Sequence, residues 1–314
     1  MKALVTGYSG FLGRHVARAL RAEGWTIRVL LHQKTVARND LIREVDEVIW
    51  GSAVDQETIC QAVAGVQALV HCAWAHRDPG LNERAAELLA AESVSAGVQH
   101  FVFVSSVAVY GMSVKSTAPV HEAAQLALGE ELKFAYPAEK IRVEKLLLAY
   151  RRNAMKLAIL RPGPIFDDRK SPCKKIVRIG RHAFAIGLGT GRNRMPYIHA
   201  RDVGRAVAAW LKHGAADQIF NVTPSQCLRA GDWYRQWGRA HHMTLNPIFI
   251  RPLVIRSLSL ALTVLKSVLG KPGKVDSSYA IASATRDLIY SNEAIKRNLG
   301  WTDESTKDYY ANTE

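Results

Sequence analysis

Residues 6–13 read TGYSGFLG, placing Gly7, Gly10 and Gly13 between an apolar stretch, KALVT (2–6), and an amphipathic pattern, GRHVARALRAEG (13–24). A strand that must turn within a few residues into a helix leaves few folds open. Gly7 permits the tight turn, and Gly10 lets the backbone approach a pyrophosphate. Gly13 lets the helix pack close to the sheet, with its N-terminal amides facing the anion. A glycine triplet alone is weak evidence. Between the first strand and the first helix it points to a dinucleotide.

The same alternation continues downstream. TIRVLL (26–31), EVIW (47–50), ALVHCA (68–73), FVFVSS (101–106) and LAILRPG (157–163) read as strands. Between them lie an Asp-capped helix at DQETICQAVAGV, a second at LNERAAELLAAESVSAG and a long one through Tyr136. Such a series predicts an α/β chain: a Rossmann-type, doubly wound parallel sheet with helices on both faces. PYIHARD (196–202) leads into a further helix, and QIFNVT (218–223) reads as a strand. The expected division is residues 1–161 with 196–222 for the nucleotide. A smaller, mostly helical substrate-binding part takes 162–195 with 223–314. Residues 164–195 read as a loop with a short helix. Pro252–Leu269 reads as a helix whose polar positions, Arg256, Ser259, Thr263 and Lys266, leave a broad apolar face. The preferred reading packs that face along a substrate pocket, with an interfacial membrane helix as the alternative.

The chain is basic, with 42 Lys and Arg against 28 Asp and Glu. Ten basic residues and two acids fall between Arg161 and Arg201; Met243 to Val275 has five basic residues and no acid. This bias favours an anionic partner, from a phosphorylated cofactor to a membrane surface. No nucleic-acid module accompanies it, so nucleic acid is discounted. Cys60, Cys72, Cys173 and Cys227 show no ligand spacing. They read as free thiols of a cytoplasmic protein without a metal site. His71 and His199 read as core histidines, and Trp233 and Trp237 as the buried face of a helix. Trp74 either walls the pocket or fills the core.

FAYPAEK (134–140) places Tyr136 and Lys140 one helical turn apart on one face. By spacing alone this is a core tyrosine beside a solvated lysine, or a proton donor whose acidity an ammonium sets. TGYSGFLG, HCAW (71–74), FVFVSSVAVYG (101–111), YPAEK (136–140), LRPG (160–163) and YIHARD (197–202) together resemble the extended short-chain dehydrogenases/reductases. These are also called the NAD-dependent epimerase/dehydratase family. The resemblance covers roughly residues 1–222. It implies an active NAD(P)-dependent oxidoreductase in which Tyr136 is the general acid/base, with a pKa lowered toward neutrality by Lys140 and the nicotinamide. Ser106, by its place before Tyr110-Gly111, is the expected third catalytic residue, and Ser105 is structural.

The resemblance also implies a cofactor set of Gly7, Ser9, Gly10, Phe11, Leu12, Gly13, His32, Lys34, Ser52, Ala73, Tyr136, Lys140 and Pro162. Family members that prefer NAD carry an acid after the second strand. Here Leu31-His32-Gln33-Lys34 stands instead, which favours NADP and leaves NAD open. Gly51-Ser52 replaces the usual Gly-Asp at the adenine. Sugar-nucleotide members often carry an Arg where this chain has Met195. The helix at 252–269 is similar to that of 3β-hydroxysteroid dehydrogenase-like members. The reading is therefore a reductase or dehydrogenase of a mainly apolar or carrier-linked small-molecule substrate. A nucleotide-sugar epimerase or dehydratase with tightly held NAD is the alternative. A homodimer through residues 81–96 and 136–152, and peripheral membrane contact without a transmembrane span, stay open.

Overall fold

The computed structural model describes residues 1–32, 44–75, 78, 80–111, 118–129, 134–150, 155–168, 175–179, 182–213, 216–268, 281–282 and 285–311. Lys34, Gln33 and Cys173 lie outside them.

Seven strands form one parallel sheet: β1 (Lys2–Thr6), β2 (Thr26–Leu31), β3 (Glu47–Trp50), β4 (Ala68–His71), β5 (His100–Val104), β6 (Lys156–Pro162) and β11 (Gln218–Val222). Their spatial order is β11-β6-β5-β4-β1-β2-β3. The strand order reverses direction between β1 and β4, which pair in register from Ala3↔Ala68 to Thr6↔His71. In a doubly wound sheet this reversal opens a crevice beyond the carboxyl ends of the strands, where ligands bind.

Helices cover both faces. On one lie α1 (Phe11–Ala22) and α5 (Ala200–His213), closing a core with Val5, Val29, Val203 and Trp210. A Cβ on Gly204 would stand 2.7 Å from the His15 carbonyl oxygen, so α5 needs this glycine to approach α1. On the other face lie α2 (Gln56–Val63), α3 (Leu81–Ser95) and α4 (Ala135–Ala149), over Leu4, Leu69, Phe101 and Ile159. Each such fully buried side chain contributes about 1.5–3 kcal/mol relative to exposure. The sequence signals hold locally: the Asp55 carboxylate caps α2 by accepting from the Thr58 amide at 2.9 Å, and Gly24, at φ +81°, closes α1.

Residues 164–195 differ from the loop with a short helix expected there. They contain β7 (Ile165–Phe166), β8 (Lys175–Ile179) and β9 (His182–Leu188). β9 pairs antiparallel with β8 and parallel with β12 (Leu245–Ile250), while β10 (Ile198–His199) pairs with β7. HAFAIGL alternates half-buried or exposed with buried positions, a strand period that its Gly-rich surroundings mask. α6 (Ala230–Ala240) buries Trp233 and Trp237 on one face, as its spacing predicts. α7 spans Pro252–Val268; α8 (Glu293–Leu299) and α9 (Glu304–Ala311) finish the described chain.

α7 corrects the pocket-lining expectation. Leu253, Val254, Leu258, Leu260, Leu262 and Val264 are all exposed, and the half-buried positions are Ile255, Ser259 and Thr263. Of the polar stripe, Ser259 and Thr263 can turn inward because each hydroxyl is satisfied within the helix, Ser259 donating to the Ile255 carbonyl and Thr263 to that of Ser259, while Arg256 stays exposed.

Candidate active site

The glycine turn stands at the sheet's switch point. Gly7 has φ +74°, and a Cβ there would meet the Ala73 backbone nitrogen at 2.5 Å. The turn after β1 therefore lies directly against the segment after β4. A Cβ on Gly13 would strike the Gly7 carbonyl oxygen at 2.5 Å and the Tyr8 Cα at 2.7 Å. Gly13 thus lets α1 close on the turn itself, rather than on the sheet at large. Gly10 donates its amide to the Gly7 carbonyl at 3.0 Å and leads α1 with no side-chain cap and no acid in the first turn. That leaves first-turn amides open to an anion.

Beside this turn is a cavity of about 290 Å³. Gly7, Ser9, His32, Ser52 and Ala73 all line it, and among the described residues none that lines it is an acid. Phe11 is half-buried at the start of α1, whereas Leu12 is buried in the core beneath. Pro162 ends β6, buried and in register with Val222.

Deeper in, His71 is 2% exposed; its Nδ1 is 2.7 Å from the Thr6 hydroxyl, and its ring stacks on Phe103. Burial pushes its pKa down to about 3, and burial likewise lowers His199 to about 4. Both are buried, as expected of core histidines, and His71 also lines the cavity floor. Burial pushes the Cys72 thiol up to about 12, so it stays neutral.

Because both histidines bind protons less readily folded than unfolded, the unfolded chain takes up protons first as pH falls. Their contribution to stability is expected to be full above about pH 6.5 and to shrink progressively toward pH 4. Thermal unfolding at about pH 7.5 and about pH 5 checks this. A lower midpoint at the acidic pH is expected, and an equal or higher one contradicts it.

β5 ends at Val104, where Ser105 and Ser106 leave the sheet. Ser106 Oγ accepts the Ala108 amide at 3.2 Å, which starts a short 3-10 turn, and its hydroxyl also bonds Tyr136 from the first turn of α4. Lys140, one turn on, is buried. Its Nζ donates to the Val104 carbonyl at 2.8 Å and lies 3.6 Å from the centre of the Trp74 ring. The structure therefore brings Ser106, Tyr136 and Lys140 together.

The electrostatics differ from the expectation. Tyr136 keeps 36% of its surface exposed, yet burial of the phenol raises its pKa, partly offset by the Ser106 bond. Lys140 does not offset this: its ammonium faces the Val104 carbonyl and the Trp74 ring, 5.9 Å from the centre of the Tyr136 ring. Burial pushes Lys140 itself down to about 7.

Sequence reasoning left Asn82, Glu144, Arg161 and Asn221 unassigned, gave Trp74 as pocket wall or core filler and read Ser105 as structural. Trp74 lines the cavity, covers Lys140 and meets Tyr136 edge-on at 5.8 Å, so it joins the two halves of the site. Asn82 on α3 holds the Trp74 segment: its amide donates to the Ala75 carbonyl at 2.8 Å and to Glu139 at 3.1 Å, and its carbonyl accepts the Ala75 amide at 2.8 Å. Behind Ser106, Ser105 donates to Glu144 at 2.5 Å, and Arg161 binds the same carboxylate at 2.6 and 3.1 Å. Arg161 also donates to the Tyr110 hydroxyl at 2.8 Å, and Tyr110 donates to Asn221 at 2.7 Å. The residue types were visible, but their pairings span up to 111 positions and follow only from the sheet order.

A sequence profile of the NAD dependent epimerase/dehydratase family matches residues 3–223. A ceramide reductase of Caulobacter vibrioides is 31% identical over 79% of this chain and 72% of its own length. A decarboxylating sterol-4-alpha-carboxylate 3-dehydrogenase of Dictyostelium discoideum is 23% identical over 96% of this chain and 95% of its own. The uncharacterized protein y4nG of Sinorhizobium fredii is 27% identical over 66% of this chain, which spans about half of that protein (52%). In fold, a UDP-glucose 4-epimerase of Thermotoga maritima superposes with a TM-score of 0.76 at 20% identity, covering 100% of this chain and 97% of that one. A glycine turn at the switch point, a serine and tyrosine in contact with a buried lysine beside them, and a family profile spanning the whole sheet agree: the chain belongs to the NAD-dependent epimerase/dehydratase family, and so to the NAD(P)-dependent enzymes of the extended short-chain dehydrogenase/reductase type.

Proposed function

We propose that this enzyme is a reductase or dehydrogenase that interconverts an alcohol and a ketone on a mainly apolar or carrier-linked substrate, with NADP preferred over NAD. One observation carries the reading: the hydrogen-bonded Ser106–Tyr136 pair, with Lys140 behind it, is joined through Trp74 to the cavity beside the glycine turn.

The residues present fit the dinucleotide. The uncapped start of α1 suits a pyrophosphate, and the close approach of Gly7 to Ala73 keeps the crevice clear of side chains. His32, exposed just after β2 and lining a cavity in which no described residue is an acid, tolerates a 2′-phosphate. When bound, the nicotinamide supplies or accepts the hydride. Ser106 holds the substrate oxygen, Tyr136 gives or takes the proton at that oxygen, and Lys140 supplies the nearby positive charge. A phenol held protonated by burial is ready to donate to a carbonyl oxygen as negative charge grows on it, which favours reduction.

A second reading, a nucleotide-sugar epimerase or dehydratase, is favoured by Arg194 and Lys296, which line a separate cavity of about 450 Å³. Against it, Met195 packs with Tyr197 and Trp233 and offers a diphosphate no charge. The test is NADPH consumption by the purified enzyme with a panel of apolar ketones, expected in one-to-one ratio with alcohol formed. Conversion of a nucleotide sugar without net NADPH consumption would favour the second reading.

A further inference from the structure

The apolar surface of α7 faces the wrong way for a soluble helix. At about 100° per residue, Leu253, Val254, Leu258, Leu260, Ala261, Leu262 and Val264 occupy an arc of about 200°, interrupted only by Ser257. The six large members of this arc expose between 42% and 74% of their surface. Ile248, on the strand leading into the helix, adds a further exposed apolar side chain. Exposed Arg251 precedes the helix and exposed Arg256 flanks the arc. No Asp or Glu occurs from Met243 to Val275, against five Arg and Lys. Among the described residues no helix is long and apolar enough to cross a bilayer.

We infer that α7 docks this enzyme on an anionic phospholipid surface, with its leucine face in the interfacial region and Arg251 and Arg256 among the headgroups. The charge pattern selects this occupant. A second copy would bring like charges together with no acid in the segment to pair them, whereas anionic headgroups complement them. An apolar arc of this width beside basic residues is the arrangement of helices that lie in the plane of the interface. The inference rests on α7 alone and stands or falls independently of the catalytic reading.

Co-sedimentation of the full chain with phosphatidylcholine vesicles, with and without phosphatidylglycerol, tests it. Binding is expected to be strong to the anionic vesicles, weak to the neutral ones, and reduced at high salt. Leu258→Glu with Leu262→Glu is expected to lower the partition coefficient by at least about tenfold, because two leucines leave the interface. Both positions are exposed, so the thermal midpoint should be unchanged. Arg251→Gln with Arg256→Gln, a separate pair, should erase the preference for anionic vesicles while leaving the leucine face intact. Failure to bind anionic vesicles, or equal binding by the Glu variant, overturns the inference. A dimer that the same Glu substitutions disperse, with no vesicle binding, also overturns it and assigns the face to a second copy.

Discussion

Tyr136→Phe is expected to lower kcat/KM by about 10²–10⁴, the range that loss of a positioned general acid produces. The effect should fall mainly on kcat, because the ring and its edge-on contact with Trp74 remain and only the hydroxyl bonded to Ser106 is lost. Cofactor affinity should change far less. Steady-state kinetics beside a direct cofactor titration separate the two effects. A variant that keeps wild-type kcat would show that proton transfer at the substrate oxygen does not depend on Tyr136. Ser106→Ala should give a smaller loss, since Tyr136 could still reach the oxygen without its hydroxyl partner.

The second large effect is expected on stability. Arg161 and Glu144 are 3% and 1% exposed at their side chains, and their pair holds Ser105, the neighbour of Ser106. Arg161→Met removes the cation and leaves the carboxylate buried with Ser105 alone, while Tyr110 loses its donor. Breaking a buried pair from one side costs about 3–5 kcal/mol, since the remaining charge has lost its paired cation and cannot reach water. In a chain of this size the thermal midpoint should fall by about 5–8 °C. Glu144→Met combined with Arg161→Met should recover much of that loss, because no charge is then stranded. If the double variant were no more stable than Arg161→Met, the pair's shape rather than its charge would be what the core needs.

Much of this site was legible before any coordinates, for identifiable physical reasons. The glycine turn is local: φ +74° at Gly7 and the strand–helix reversal are written in eight consecutive residues. Helical periodicity puts Tyr136 and Lys140 on one face, while their expected roles come from the family resemblance; short apolar runs between amphipathic ones predict the parallel sheet. What could not be read is non-local. Trp74 covers Lys140 only because β4 lies beside β5, and Arg161 meets Glu144 only because β6 passes beneath α4. β8 and β9 were hidden by the glycines and prolines around them. For α7 the periodicity was correct but its orientation was not: sequence shows that a helix has an apolar face, and only the fold shows which way that face points. The Lys140 part of the lowering expected at Tyr136 is missing for a related reason. Spacing puts a lysine one turn away, but burial and the Val104 carbonyl decide where its ammonium points.

On the proposed function, this enzyme spends a reduced cofactor in each turnover and releases it, with Ser106, Tyr136 and Lys140 acting on an apolar ketone. The most direct test is the stoichiometry of NADPH consumed to alcohol formed, on protein whose nucleotide content has first been determined. Protein that purifies empty, binds NADPH more tightly than NADH and consumes one NADPH per alcohol is the predicted result. Protein that arrives carrying NAD it does not exchange, and that converts a nucleotide sugar with no net change in cofactor, would contradict the claim and make the enzyme an epimerase or dehydratase.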